Sequence, residues 1–174
     1  MVIEREGLIQ FGGKAATVIG PDMEVGQKAP EFTVHAQNWA DFTGLAETQG
    51  KVRIIAAVPS LDTSVCDRET RKFNEEAAAL SEDITILVIS TDLPFTQKRW
   101  CGAAGIEQVQ VLSDHKTADF GVKYGCLLKD QRILRRAVFV VDCSDRLVYV
   151  AYMPVLGEEP DYAEVLAAAK AALA

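Results

Sequence analysis

Residues 52–74 read VRIIAAVPSLDTSVCDRETRKFN and carry most of the information about the fold. The first seven, Val52–Val58, are mostly apolar and β-branched at several positions, which predicts a short buried strand. Pro59 follows this run, and a helix is predicted to begin near Val65. Its apolar residues recur at i, i+4 and i+7 on one face: Phe73, Ala77 and Leu80. In α/β folds, the junction between a strand and the next helix borders the binding crevice.

Strands and helices continue to alternate along the chain. Further strands are predicted at Ile84–Ser90, Gln108–Leu112, Arg136–Asp142 and Arg146–Met153, the last two turning at Cys143–Asp145. A helix opened by Asp92 and Pro94 is predicted to end at Gly102 or Gly105, and a short one lies near Thr117–Tyr124. The last helix starts near Pro160, with one stripe of Tyr162, Leu166, Ala169 and Leu173. LIQFGGKAATVIG predicts an N-terminal β-hairpin around Gly12 and Gly13. We expect an α/β fold with a mixed central sheet.

The length, charge and apolar content of the chain exclude several classes of function. The chain has 174 residues, and at this length we expect residues 1–174 to form one domain. Its 18 Lys and Arg are outnumbered by 25 Asp and Glu, which argues against a nucleic-acid partner held through its phosphates. The longest apolar runs, such as Ile54–Val58 and Ala137–Val141, fall far short of the roughly 20 residues that span a bilayer. The opening MVIEREG has no apolar signal region, so we expect a cytoplasmic protein without a membrane partner.

The four cysteines do not resemble a structural disulfide framework. Such frameworks belong to small secreted chains, and a core of this size needs no covalent staples. No CxxC pair occurs among Cys66, Cys101, Cys126 and Cys143, which counts against a zinc site and a thioredoxin-type dithiol. The two histidines, His35 and His115, each stand without a second ligand at metal spacing, so no metal site is predicted.

Cys66 lies where a helix begins. Thr63 or Ser64 can cap this helix, and its unpaired N–H groups and dipole favour an anion in the first turn. A thiol in such a position ionises more easily and becomes a nucleophile. The flanking carboxylates of Asp62 and Asp67 oppose ionisation of the thiol. Arg68, Arg71 and a more distant arginine would have to outweigh them. Position alone leaves both a reactive and a packed cysteine open.

The wider pattern favours a reactive cysteine. The string PxxxTxxC, at Pro59, Thr63 and Cys66, resembles the peroxidatic motif of the peroxiredoxins. Further blocks, in the same order, resemble the thiol peroxidase branch (the atypical 2-Cys peroxiredoxins): RKFN, STDLPF, RWCGAAGI, RAVFVVD and EEPDY. The similarity covers almost the whole chain. It implies a thioredoxin-like fold of the peroxiredoxin type, with a mixed central sheet and an N-terminal β-hairpin.

The resemblance also implies a role for each site residue. Cys66 would attack the O–O bond of hydrogen peroxide or an organic hydroperoxide, and Thr63 would hydrogen-bond both the thiolate and the peroxide. Arg136 would keep the sulfur ionised, and Pro59 would shield the pocket. Cys101 would resolve the sulfenic acid as an intramolecular Cys66–Cys101 disulfide, which thioredoxin would reduce. The cycle needs no metal, haem or flavin, and the branch usually forms homodimers.

For the arginines, the cysteines and the function, the sequence leaves other interpretations open. Alternation along a strand sends Arg135 and Arg136 to opposite faces, so we expect one of them to be a solvated surface charge. Without the family pattern, Cys101 reads as a packed thiol beside Trp100. Cys126 and Cys143 match no part of the motif and are predicted bystanders, buried or in a loop. Two other functions use the same cysteines: a thiol–disulfide exchange protein, and a redox sensor or holdase.

Overall fold

The computed structural model describes residues 2–174, in which strands and helices alternate as the sequence predicts. The strands are β1 (Glu4–Phe11), β2 (Lys14–Ile19), β3 (Thr33–His35), β4 (Asp41–Thr43), β5 (Val52–Ala57), β6 (Ile84–Ser90), β7 (Gln110–Ser113), β8 (Leu127–Leu128), β9 (Ala137–Val141) and β10 (Leu147–Tyr152). The helices are α1 (Ser64–Ala77), α2 (Pro94–Ala104), α3 (Asp119–Lys123) and α4 (Tyr162–Ala171), with a 3-10 turn at Ala46–Thr48. No helix within residues 2–174 combines the length and apolar character needed to cross a membrane.

Seven strands form the central sheet, in the order β10-β9-β5-β6-β7-β3-β4. Strands β5, β6 and β7 are parallel, whereas β9, β10, β3 and β4 pair antiparallel, so the sheet is mixed as predicted. A separate sheet joins β1, β2 and β8. In its hairpin, Phe11 pairs with Lys14 around Gly12 and Gly13. These glycines have φ of 59° and 78°, the positive angles that a two-residue type I′ turn requires.

The core lies on both faces of the central sheet, and β5 runs through its middle. All six residues of β5 are buried. Its side chains alternate between two apolar clusters, with Ile55 and Ala57 in one and Ile54 and Ala56 in the other. The second cluster also contains Cys66 and Cys101, together with residues of α1, α2 and α4. The two predicted working cysteines therefore share one side of the sheet.

The structure confirms most of the predicted helix stripes, with Tyr162, Leu166 and Ala169 on the second apolar cluster, and corrects their ends. In α4 the buried residues are Val165 and Ala169, whereas Leu173 is exposed because the helix ends at Ala171. In α1 the helix ends at Ala77, so Leu80 lies beyond it, although its side chain still packs on the same cluster. The spacing of apolar residues indicates which face of a helix is buried, but it does not show at which residue the helix ends.

Candidate active site

Cys66 lies in the first turn of α1, directly after the loop that leaves β5. Thr63 is the N-cap residue, and its Oγ1 accepts a hydrogen bond of 3.3 Å from the Cys66 backbone N–H. The same hydroxyl donates to the Ser60 carbonyl oxygen at 3.1 Å. This confirms the predicted cap, with Thr63 rather than Ser64 in the role. The Cys66 side chain is completely buried at the positive end of the helix dipole.

Asp92 anchors the loop that precedes this helix. Its Oδ1 accepts from the Ser60 hydroxyl at 2.7 Å, and its Oδ2 accepts from the Leu61 backbone N–H at 2.9 Å. Oδ2 also accepts from the Ser90 hydroxyl at 2.7 Å. Because Asp92 lies between β6 and α2, one carboxylate connects the Cys66 loop to the segment that leads to Cys101. The sequence marked Asp92 only as part of a helix start.

Arg136 brings a positive charge to the sulfur of Cys66. Its Nη2 donates to Cys66 Sγ at 3.2 Å, although the two residues lie 70 positions apart in sequence. Nε and Nη2 also donate to the Leu156 carbonyl oxygen at 3.1 and 3.0 Å, which fixes the plane of the guanidinium. Arg136 itself is buried, directly before β9. The cap, the helix end and the guanidinium thus converge on one thiol, the arrangement that stabilises a thiolate nucleophile.

Glu69 completes the site and was missed by the sequence reasoning. It is completely buried one turn after Cys66, and its Oε2 accepts from Arg136 Nη1 at 2.5 Å. Burial raises the pKa of Glu69 to about 7, while the Arg136 guanidinium opposes part of that rise. Cys66, Glu69 and Phe73 share a helical face at i, i+3 and i+7, and this spacing is the signal that could have revealed the carboxylate.

The charged residues next to Cys66 in sequence pair with other groups and not with its sulfur. Arg71 pairs with Asp67 at 3.0 Å along the helix surface. Arg68 approaches Glu159 at 3.6 Å, and both side chains are largely exposed. Asp67, Arg68 and Arg71 therefore take part in ion pairs on the surface of the helix. The charge that contacts the sulfur belongs to Arg136, the residue that the family resemblance names, and Glu69 binds Nη1 of that guanidinium.

Arg135 also differs from the prediction. The two adjacent arginines do have separate environments, but both are buried, so neither is a solvated surface charge. Arg135 pairs with Asp22, donates to the Gly125 carbonyl oxygen at 3.0 Å, and lies 3.9 Å above the ring of Tyr152. Alternation along a strand assigns a side chain to a face, but it does not show that protein covers both faces.

A cavity of about 420 Å³ opens beside the site. Pro59, Thr63 and Arg136 are among its lining residues, and Arg136 Nη2 lies 3.2 Å from the buried Cys66 sulfur. The rest of its wall is almost entirely apolar and includes Phe11 of the N-terminal hairpin, Val65 of α1, Ile133 between β8 and β9, and Leu156 before α4. The cavity can admit a small molecule with one polar end and an apolar body.

Cys101 lies near the C-terminal end of its helix, whereas Cys66 lies at the N-terminal end of α1. It is buried in the last turn of α2, and its carbonyl oxygen accepts from the N–H groups of Gly105 and Ile106. Gln37 Nε2 donates to Cys101 Sγ at 3.5 Å. Burial raises the pKa of the Cys101 thiol, and the Gln37 hydrogen bond offsets part of this effect. The negative end of the helix dipole also disfavours an anion there.

The other cysteines have no contact with this site, and all four thiols are free. Cys126 is completely buried, which raises its pKa to about 12. Cys143 is exposed in the turn between β9 and β10. These are the buried and loop positions predicted for them. Within residues 2–174, no group of three or more His, Cys, Asp and Glu is arranged to hold a metal ion.

Comparisons with known proteins agree with this fold. The family model described as Redoxin matches residues 24–166. The thiol peroxidase of Halalkalibacterium halodurans is 50% identical over 165 residues, which cover 95% of this chain and 98% of that protein. The thiol peroxidase of Bacillus subtilis is 47% identical over 163 residues, covering 94% and 96%. The crystal structure of a peroxiredoxin-like protein from Aquifex aeolicus superposes with a TM-score of 0.86 at 38% identity, covering 98% of both chains.

The mixed sheet with helices on both faces is thus the thioredoxin-like fold of the peroxiredoxin type, as predicted. The chain belongs to the Redoxin family and, within it, to the thiol peroxidases. It is therefore a peroxiredoxin-type enzyme that reduces peroxides with a thiol. This membership favours the peroxidase over the exchange protein and the sensor.

Proposed function

We propose that Cys66 is the peroxidatic cysteine and that Cys101 is the resolving cysteine of an intramolecular cycle. The observation that carries the proposal is the 3.2 Å contact from Arg136 Nη2 to Cys66 Sγ at a capped helix N-terminus. Cys101 lacks such support, because burial raises its pKa at a helix C-terminus. The two thiols therefore have different electrostatic environments, and only Cys66 is equipped to attack first.

In the first step, the Cys66 thiolate attacks one oxygen of the peroxide. The O–O bond breaks, the sulfur is oxidised to a sulfenic acid, and the other oxygen leaves as water or an alcohol after taking up a proton. The Arg136 guanidinium stabilises negative charge on the sulfur and polarises the peroxide. Thr63 Oγ1, on the cavity wall, hydrogen-bonds the incoming oxygen, and Pro59 restricts the entry of water.

The cavity supports two substrate classes, hydrogen peroxide and small organic hydroperoxides. The polar end of either molecule can reach Thr63 and Arg136, because both residues line the cavity. The apolar wall, which includes Phe11 and Leu156, can hold the carbon chain of an organic hydroperoxide.

In the second step, the Cys101 thiol attacks the Cys66 sulfenic acid. A disulfide forms and water leaves, so the sulfenic sulfur is reduced while Cys101 is oxidised. The two sulfurs have different partners, Arg136 and Gln37, and a disulfide needs Cα atoms about 4.4 to 6.8 Å apart. We therefore propose that part of α1 or α2 unwinds in this step. Gly102, and Gly105 at φ 68°, follow Cys101 directly and make the end of α2 a suitable place.

Thioredoxin is the proposed reductant, and it would return both cysteines to thiols by disulfide exchange. This recycling requires a compartment that keeps thiols reduced, which is why a cytoplasmic location is part of the proposal. Residues 1–174 are proposed to act as one domain. No metal, haem or flavin takes part in the proposed cycle.

A homodimer is also proposed, with contact through an apolar surface next to α2. The surface consists of Trp39, Leu93 and Phe95, which are exposed by 39%, 46% and 68%. Trp39 and Phe95 are already in contact, with ring centroids 4.9 Å apart. Sedimentation velocity tests this proposal: Phe95→Asp is expected to shift a dimer towards monomer, and a native chain that sediments as a monomer contradicts it.

The catalytic proposal is tested by thioredoxin-coupled consumption of hydroperoxide. Cys66→Ser is expected to lose turnover. Cys101→Ser is expected to consume a first equivalent of peroxide and then stop, because no disulfide forms for thioredoxin to reduce. Cys143→Ser, an exposed cysteine outside the site, is the matched control and should turn over normally. Sustained turnover of Cys66→Ser rules out the mechanism, and sustained turnover of Cys101→Ser indicates a one-cysteine cycle.

A further inference from the structure

The loop between β3 and β4, residues 36–40, is held in one shape by its own contacts. The backbone N–H groups of Ala36 and Trp39 donate to the carbonyl oxygens of Ala40 and Ala36, each at 2.9 Å. At its base, His35 Nε2 lies 3.0 Å from Asp41 Oδ1. Trp39 has a φ of 69°, in the left-handed region that bulky residues rarely occupy. Contacts with the rest of the protein also support this conformation.

Those contacts come from α2, at both of its ends, and from His115, whose ring centroid lies 5.3 Å from that of Trp39. The Trp39 ring packs edge-on against Phe95 in the first turn of α2, with centroids 4.9 Å apart. Gln37 Nε2 donates to Cys101 Sγ at 3.5 Å in the last turn. Since a helix rises about 1.5 Å per residue, the two attachment points lie about 9 Å apart along the axis. This short loop therefore contacts both the first and the last turn of the helix that carries Cys101.

We propose that Gln37 is a positioning residue that retains the Cys101 thiol in α2 and slows its transfer to Cys66. This inference rests on the proposed two-cysteine cycle. In the proposed cycle, Cys101 leaves its buried place in α2 to reach Cys66, and this movement breaks the hydrogen bond from Gln37. Breaking this bond is part of the unwinding step, so the contact stabilises the state before resolution and not the attack itself.

The consequence is a competition at the Cys66 sulfenic acid. In one branch, Cys101 leaves Gln37, attacks the sulfenic sulfur, and the products are a disulfide and water. In the other branch, the sulfenate attacks a second hydroperoxide and becomes a sulfinic acid, while the peroxide is reduced to water or an alcohol. The longer Cys101 stays bound to Gln37, the more time a second peroxide has to react with the Cys66 sulfenic acid. Gln37 thereby sets how much peroxide the enzyme tolerates before it is inactivated.

The test compares the native chain with Gln37→Met, which keeps an unbranched side chain but has no N–H donor. Gln110→Met is the matched control, because Gln110 is exposed on β7 and lines the same surface groove as Gln37. One equivalent of hydrogen peroxide is mixed with reduced protein, and disulfide formation is followed by quenched mass spectrometry. Sulfinic acid at Cys66 is measured by the same method as the peroxide concentration is raised.

For Gln37→Met we expect disulfide formation to be about two- to fivefold faster, the factor for one weak hydrogen bond. The peroxide concentration that half-converts Cys66 to sulfinic acid should rise by the same factor. The rate at which Cys66 first reacts with peroxide should stay unchanged in both variants, which separates positioning from general damage. An unchanged or slower disulfide step in Gln37→Met overturns the proposal, even if amide exchange in α2 becomes faster. If the native chain forms no Cys66–Cys101 disulfide at all, the two-cysteine cycle fails and this inference fails with it.

Discussion

The titration of Glu69 is predicted to make the stability of the reduced protein depend on pH near neutrality. Glu69 is completely buried, with Oε2 bound to Arg136 and with Oε1 lacking a hydrogen-bond partner among the described residues. Burial raises the pKa of this carboxyl from 4.5 to about 7, against the opposing effect of the guanidinium. Glu69→Gln keeps the size of the side chain and removes its titration.

The sign follows from proton binding in the two states. Between pH 4.5 and about 7, Glu69 holds a proton in the folded protein, whereas the unfolded chain has already lost it. The stabilisation is therefore complete below pH 4.5 and is lost as the pH rises through about 7. The separation of these two values corresponds to about 3 kcal/mol of unfolding free energy. Above this range, the carboxylate also neutralises part of the Arg136 charge beside Cys66.

Urea denaturation of the reduced proteins between about pH 5 and pH 8 measures this effect. The unfolding free energy of Glu69→Gln relative to wild type should rise by about 2.5 kcal/mol between pH 5 and pH 8. Burial also raises the pKa of Asp114 to about 7, but Asp114 titrates in both proteins and cancels in the difference. Parallel curves for the two proteins would refute the reasoning, because they would mean that Arg136 keeps the carboxylate ionised throughout.

Three further predictions concern the supports of the site. Thr63→Val removes the oxygen that caps the Cys66 N–H and should cost about 1 kcal/mol of stability in urea denaturation, with Thr63→Ser as the control that retains the cap. It should also slow the reaction of Cys66 with peroxide, and equal rates for the two variants would contradict the cap's role. Asp92→Ala leaves two hydroxyls and one N–H without their acceptor and should cost about 1 to 3 kcal/mol, whereas a loss below about 0.5 kcal/mol would show that water replaces the carboxylate. In the reduced native protein, iodoacetamide followed by peptide mass spectrometry should label the exposed Cys143 first and Cys126 only after unfolding, and early labelling of Cys126 would mean that its burial is not maintained in solution.

Local features of the sequence determined much of this protein. The apolar run at β6 predicted Ile84–Ser90 with the correct bounds, because a strand buried on both faces needs an unbroken apolar sequence. Gly12 and Gly13 predicted the hairpin turn, since both adopt positive φ. Thr63 predicted the start of α1, because a cap depends only on atoms three residues apart. The motif through Pro59, Thr63 and Cys66 then indicated the family.

The family resemblance had already named Arg136, but only the tertiary structure shows the contacts by which this charge meets the thiol. Arg136 reaches Cys66 because β9 pairs with β5, and such pairing joins residues whose separation in sequence carries no periodic signal. Burial of Arg135 and the raised pKa of Glu69 depend on protein that covers both faces of the sheet. The contact between Gln37 and Cys101 likewise requires the β3–β4 loop to fold over α2. Hydrogen bonds and periodicity within a segment act over a few residues, whereas electrostatics and burial depend on every element packed around a group.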